Sequence, residues 1–152
     1  VIEDKLKEYG VEMEDYAICD DKPEMITDAI HKMLDKGMDM IICTGGMSVD
    51  PDDRTPLAIK NVAEDIVTYG APVLPGAMLL LAYYEKDGKK IPIVGLPGCV
   101  MYAKRTIFDL VLPRVLCNEK LKAEDLYRLG QGGLCLSCPT CTFPNCGFGK
   151  GA

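Results

Sequence analysis

Two short apolar runs in this sequence end in glycine loops, and that pairing constrains the fold more than any other feature. Residues 38–44 (MDMIICT) lead straight into Gly45-Gly46, and residues 90–94 lead into Gly95-Leu96-Pro97-Gly98. Apolar runs of this length suit strands buried on both faces, and glycine lets the chain turn sharply at their ends. Before the first run, Ile26, Ala29, Ile30, Met33 and Leu34 recur at three and four residues, the spacing of an amphipathic helix. After its loop, Thr55-Pro56 opens a second helix with Leu57, Ile59 and Val62, Thr as cap and Pro in the first turn. Strands alternating with helices predict an α/β domain of three layers. Its sheet is expected to be mainly parallel, with helices on both faces joined by right-handed crossovers. In such sheets ligands sit beyond the carboxyl ends of the strands, where both glycine loops would lie.

The flanking segments extend this pattern. Ile2 and Leu6 share a helical face that Gly10 ends. Val11, Met13, Tyr16 and Ile18 alternate imperfectly over residues 11–19 and predict a strand. Asp20 and Asp21 precede Pro23, the usual order of a cap and a first-turn proline. Residues 78–84 and 90–95 flank Asp87-Gly88 and predict one β-hairpin. Residues 66–76 show no clear periodicity. A long apolar helix is expected from Gly98, through Val100, Ala103, Ile107, Leu110 and Val111, until Pro113 ends or kinks it. A shorter helix follows over residues 123–129. The composition then shifts to Gly, Cys and Pro, which divides the chain into an α/β domain, residues 1–129, and a tail, residues 130–152.

Charge and length narrow the function. A chain of 152 residues can bury one sizeable core. Its net charge of −6 argues against a general nucleic-acid binder, whose affinity rests on many cationic phosphate contacts. A small anionic ligand remains compatible, because main-chain N–H groups in loops and at helix N-termini hold phosphate without net positive charge. No apolar run approaches the roughly 18 residues that a membrane helix requires, and no secretory signal is visible. The chain starts at Val1, inside a predicted helix, as expected of an N-terminally truncated piece. Of the eight cysteines, Cys19, Cys43, Cys99 and Cys117 are scattered among apolar segments. That distribution suits free thiols in a reducing, cytoplasmic compartment rather than a disulfide framework.

The first loop reads Thr44-Gly45-Gly46-Met47-Ser48-Val49-Asp50-Pro51-Asp52-Asp53-Arg54-Thr55-Pro56. Its glycines allow close main-chain approach to a ligand, Thr44 and Ser48 add hydroxyl donors, and the helix from Thr55 aims its positive end at the same space. A plain strand-to-helix connection with good turn residues would look similar. The stretch resembles the TGG…DD.TP signature of the molybdopterin-binding domain family of molybdenum-cofactor biosynthesis, in both its adenylyltransferase and its insertase branches. The loop Gly95-Leu96-Pro97-Gly98 resembles the insertase pattern, with Cys99-Val100 where that branch has Asn-Pro. The resemblance runs from about Val1 to Leu116. It implies molybdopterin as ligand, oligomerisation as a dimer or trimer, and other molybdenum-cofactor proteins as partners. It also implies catalytic roles for Asp53 and for Asp20, which stands where the family has an acidic residue after its second strand. Asp52 replaces an arginine common in the adenylyltransferase branch, which removes a cation from developing phosphate charge. Carboxylates suit a pterin independently: its amino group beside a ring N–H is a bidentate donor edge, and a carboxylate can also hold Mg²⁺ against phosphate. The expected ligand-binding set is thus Thr44, Gly45, Gly46, Met47, Ser48, Asp50, Asp53 and Thr55, with Gly95, Leu96, Pro97 and Gly98.

The tail carries Cys135, Cys138, Cys141 and Cys146 in C-x₂-C-x₂-C-x₄-C spacing. Such spacing can converge on one metal, and an iron–sulfur cluster or zinc is expected there. An unmetallated tail is the plainer alternative. Two other readings of the whole chain stay open. The Gly-Gly…Pro-Asp-Asp-Arg-Thr segment also resembles the competence-damage-inducible family, which implies Mg²⁺-dependent hydrolysis of nucleotide pyrophosphates with Asp52 and Asp53 on the metal. The third is a non-catalytic sensor or scaffold. His31, the only histidine, is expected to face solvent, and the methionines, Met25, Met33 and Met78 among them, are expected to fill the core.

Overall fold

The computed structural model describes residues 1–151. Helices α1 (Ile2–Lys7) and α2 (Pro23–Asp35) precede strand β1 (Ile41–Thr44), and α3 (Thr55–Val62) leads to β2 (Asp65–Tyr69). Strands β3 (Leu80–Lys86) and β4 (Lys89–Leu96) form the hairpin at Asp87-Gly88, and helices α4 (Ile107–Leu116) and α5 (Ala123–Arg128) follow. No described helix is long and apolar enough to cross a membrane.

The four strands lie in the order β1-β4-β3-β2. Alternation along the two central strands separates two cores. Leu81 and Tyr83 of β3, with Val94 and Leu96 of β4, point toward α1, α4 and α5. Leu80 and Ala82, with Ile91 and Ile93, point toward α2 and α3. The period of two that sends successive residues to opposite faces thereby builds the three layers. Each fully buried Leu or Ile contributes about 1.5–3 kcal/mol.

The three-layer α/β arrangement and the hairpin agree with the sequence pattern, while four local expectations are corrected. The sheet is mixed: β1 and β4 run parallel, and β3 pairs antiparallel with both β4 and β2. The strand expected over residues 11–19 forms no ladder, so the parallel side stops at β1. All of β2 but Asp65 lies in the stretch that looked aperiodic, because a register shift between Ile66 and Thr68 breaks its alternation. The helix expected from Gly98 begins only at Ile107; a short 3₁₀ turn, Gly98–Met101, comes first. Thr106 caps α4 by accepting from the Phe108 amide, and Asp109 returns the bond from the Thr106 amide at 2.8 Å. That reciprocal pair fixes the start of α4, and Pro113 sits inside the helix rather than ending it.

Asp109 also ties the first helix to the fourth. The Lys5 ammonium donates to both its oxygens, at 2.7 and 2.8 Å, and Arg105 donates to Oδ1 at 2.9 Å. Lys5 and Asp109 are both buried. The cysteine-rich tail is held to this side of the molecule. Phe148 is buried in the same core as Phe108, and Phe143 lies against Phe148 with the Arg105 guanidinium 4.8 Å over its ring.

Candidate functional site

Strand register brings the two glycine loops together. In the parallel pair, Thr44 stands opposite Leu96. The chain therefore leaves β1 at Gly45-Gly46 and β4 at Pro97-Gly98 on the same rim of the sheet, from adjacent strands. Gly45 and Gly46 take φ of 81° and 57°, a region that costs residues with a Cβ about 1–2 kcal/mol. Among the described residues no hydrogen bond uses the Gly46, Met47 or Gly98 amides. Thr44 is exposed at the end of β1.

Thr55, buried at the first turn of α3, holds the loop in place: its hydroxyl donates to the Gly45 carbonyl at 2.8 Å. A Cβ built on Gly46 would lie 2.9 Å from the Thr55 hydroxyl oxygen and 3.2 Å from Asp21 Oδ1. Glycine is thus required at 46 for both its φ and its surroundings. The same contact distinguishes the two aspartates after residue 19. Asp20 is exposed, and its carbonyl accepts from the Lys22 amide; Asp21 is the carboxylate that approaches Gly46. Neither aspartate caps α2, whose N-cap is Lys22, because Pro23 sets the helix start one residue later than the Asp-Asp pair.

The rest of the loop is organised by Asp53. Its Oδ2 accepts from the Ser48 amide at 2.6 Å and from the Ser48 hydroxyl at 2.5 Å. Oδ1 accepts nothing within the described chain. Asp50 acts locally: its carboxylate accepts from the Asp52 amide at 3.0 Å and its carbonyl from the Asp53 amide at 3.0 Å, the turn chemistry expected of Asp. Asp52 is solvated, with Arg54 at 3.6 Å. Tyr69 of β2, which the sequence pattern did not single out, donates its hydroxyl to the Ser48 carbonyl at 3.1 Å. Burial, and then the Asp53 charge, push the Tyr69 phenol above its usual pKa. No sequence signal pointed to Tyr69, since the bulge hid its strand.

Four residues of the expected ligand set, Met47, Gly95, Leu96 and Pro97, have buried side chains or backbone. Met47 is buried, and a Cβ on Gly95 would lie 2.6 Å from the Met47 methyl carbon and 3.1 Å from Ile59 Cδ1. Gly95 is therefore small to admit Met47. Leu96 belongs to the core beside α4. Pro97 is buried as well, so Gly98 is the member of the second loop that reaches open space. Behind Gly98, burial raises the Cys99 thiol. His31 is exposed, edge-on to Tyr84.

The four tail cysteines do not converge. Cys138 and Cys141 are exposed, while Cys135 and Cys146 pack against the core. Among the described residues, no group of three or more His, Cys, Asp or Glu is arranged to hold a metal ion. Spacing alone suggested a cluster. The docking of Phe148, together with main-chain bonds from Leu74 to Gly133 and from Cys135 to Leu74, holds the segment open instead. In the first loop, Asp50 and Asp53 each commit an oxygen to the loop's own amides.

Residues 1–116 match the family described as "Probable molybdopterin binding domain". The fold is similar to that of the tungsten cofactor synthesizing protein MoaB from Pyrococcus furiosus, with a TM-score of 0.61 and 18% identity over 77% of this chain and 79% of that one. A solved structure from Corynebacterium diphtheriae is comparable, with a TM-score of 0.58 and 18% identity over 83% of this chain and 82% of that one. A CinA-like protein from Mycobacterium avium is 39% identical over 54 residues, which is 36% of this chain and only 12% of that protein. With the matched region spanning both glycine loops and every strand of the sheet, the chain belongs to the molybdopterin-binding domain family.

Proposed function

We propose that this chain binds molybdopterin at the rim where the two glycine loops meet, in the biosynthesis or handling of the molybdenum cofactor. The observation that supports the reading is the Thr44–Leu96 register, by which the two glycine loops leave adjacent parallel strands at the same rim of the sheet. In this reading the ligand phosphate takes the Gly46, Met47 and Gly98 amides, helped by the positive end of α3. The free Oδ1 of Asp53 accepts from the amino edge of the pterin, a charge-assisted bond. Tyr69 and Ser48 hold that carboxylate in place. Asp53 thus acts in binding rather than as a magnesium ligand.

Calorimetry with molybdopterin tests this. Asp53→Ala should weaken binding about tenfold or more, the range for a lost hydrogen bond to a charged group, with an unchanged circular dichroism spectrum. Undiminished affinity in a folded variant would exclude the site. The 54-residue match to CinA-like proteins favours a second reading, nucleotide pyrophosphate hydrolysis. Turnover of ADP-ribose with Mg²⁺, absent in Asp53→Ala, would support it over the first.

A further inference from the structure

The cysteine-rich tail lies beyond residue 116, where the family match stops, and the ligand site proposed above does not use it. From Gly132 to Gly149 it forms a lobe whose ends meet: the Gly149 amide donates to the Gly132 carbonyl at 2.7 Å. A Cβ on Gly132 would lie 2.1 Å from the Lys150 carbonyl oxygen and 2.7 Å from that of Gly147, so the two ends pack with no room for a side chain. Surface loops whose ends touch are frequently functional. Both arms of the lobe are anchored. On the way out, the Leu74 amide donates to the Gly133 carbonyl at 2.6 Å and the Cys135 amide to the Leu74 carbonyl at 2.8 Å. On the way back, the Asn145 amide donates to the Thr142 carbonyl at 2.7 Å, and Phe143 packs on Phe148 beneath the Arg105 guanidinium.

Between those anchors the four thiols divide by burial. Cys135 and Cys146 pack against the core, whereas Cys138 and Cys141 are exposed in the middle of the lobe. Free cysteine is among the most buried residue types, so two exposed thiols close in sequence are a departure that packing does not explain. Spacing does not single them out, since Cys135-x₂-Cys138 and Cys138-x₂-Cys141 are equivalent. The fold does. Ser137 takes φ of 50°, an uncommon conformation for a residue with a Cβ, just before Cys138. The chain then bends at Pro139 and Thr140, so Cys138 and Cys141 stand on the two arms of one bend. Among the described residues, no main-chain hydrogen bond uses residues 136–141. The bend can therefore tighten without breaking one.

We propose that Cys138 and Cys141 form a redox pair that exchanges with small, accessible disulfides, while Cys135 and Cys146 stay out of the exchange. One thiolate of the pair attacks a sulfur of the incoming disulfide. That S–S bond breaks, one thiolate leaves and takes up the proton the cysteine gave up, and a mixed disulfide forms. The second cysteine, deprotonated in turn, attacks its neighbour's sulfur and expels the other half as a thiol. The pair ends oxidised by two electrons as a Cys138–Cys141 disulfide, and the incoming disulfide ends as two thiols. Each step needs a thiolate and an approachable sulfur, which exposure supplies here and burial withholds at Cys135 and Cys146. A bound metal ion would want further donors, and among the described residues no group of three or more His, Cys, Asp or Glu is arranged to provide them. The inference is independent of the ligand proposed above.

Incubation of the reduced full chain with glutathione disulfide tests it. Free thiols are blocked with one alkylating reagent, disulfides are reduced, and the thiols released are marked with a second reagent and located by fragmentation in the mass spectrometer. The folded chain should lose two hydrogens, with the second mark on Cys138 and Cys141 and the 138–141 pair favoured over the 135–138 pair roughly tenfold or more. In urea, where the two spacings are equivalent, that preference should disappear. Cys138→Ser and Cys141→Ser should each hold a single glutathione on the remaining exposed cysteine, because no second thiol is there to expel it. Three results would overturn the proposal. One is that Cys138 and Cys141 stay blocked as free thiols in excess glutathione disulfide. Another is a second mark shared equally with Cys135 or Cys146 in the folded chain. The last is a parent chain that keeps glutathione on both exposed cysteines, which would mean that the two thiols do not reach each other.

Discussion

The Thr55 hydroxyl donates to the Gly45 carbonyl at 2.8 Å, so the first turn of α3 fixes the shape of the loop that leaves β1. Because Thr55 is buried, Thr55→Val keeps the volume and strands the carbonyl. A net loss of about 1 kcal/mol of stability is expected, and up to about 3 kcal/mol if water cannot reach the oxygen. Urea unfolding measures the first effect and calorimetry with molybdopterin the second. Ligand affinity should fall together with stability if the bond positions the Gly46 amide.

The glycines of the two loops separate into different jobs, and alanine substitution distinguishes them. Gly46→Ala places a Cβ at φ 57° and within 2.9 Å of the Thr55 oxygen. It should cost about 1–2 kcal/mol from backbone strain and also abolish binding. Gly95→Ala instead presses on the flexible end of Met47 and on Ile59. It should destabilise by about 1–3 kcal/mol through overpacking, with ligand affinity retained. Equal effects of the two on binding would contradict the division.

Much of this architecture was legible because it rests on local periodicity. The α2 stripe, the β1 run and the Asp87-Gly88 hairpin each announce themselves within a dozen residues. What stayed hidden depends on contacts distant in sequence. The bulge at Ile66–Thr68 masked β2 and with it Tyr69, whose bond to Ser48 is a property of the folded loop alone. Asp21 and Asp20 are indistinguishable as neighbours in a sequence; only the path of the chain past Gly46 tells them apart. The α4 start was readable after all, since Thr106 and Asp109 stand at the spacing of a capping box, but the unbroken apolar spacing before it pointed elsewhere. Thiol spacing in the tail suggested a metal because spacing carries no information about where Phe148 docks.

The Cys43 thiol makes stability depend on alkaline pH. Burial first, and then Cys19, push its pKa from 9.0 up to about 12. Between those values the unfolded chain has lost the proton and the folded chain keeps it. Stability is therefore whole below pH 9 and falls as pH rises toward 12, by at most about 1.4 kcal/mol per pH unit. Thermal unfolding of Cys43→Ala should show a flatter decline across that window. A decline identical to that of the parent chain would assign the alkaline loss to other groups.

Breaking the buried pair between α1 and α4 should be the most costly single change. Lys5 and Asp109 expose 8% and 3% of their side chains and meet at 2.7 Å. Asp109 also accepts from Arg105 and from the Thr106 amide. Lys5→Met leaves the Asp109 carboxylate with one cation fewer in an apolar setting, and about 3–5 kcal/mol should be lost. Asp109→Leu removes the reciprocal cap of α4 as well and strands Lys5, so it should cost at least as much. If the pair acts as a unit, Lys5→Met and Asp109→Leu combined should recover part of the loss, because two apolar groups of suitable volume replace two charges. Urea denaturation of the single and double variants measures the coupling directly. Losses that simply add would show that α1 is held to α4 by Leu6 and its apolar neighbours, and that the charges contribute no coupling of their own.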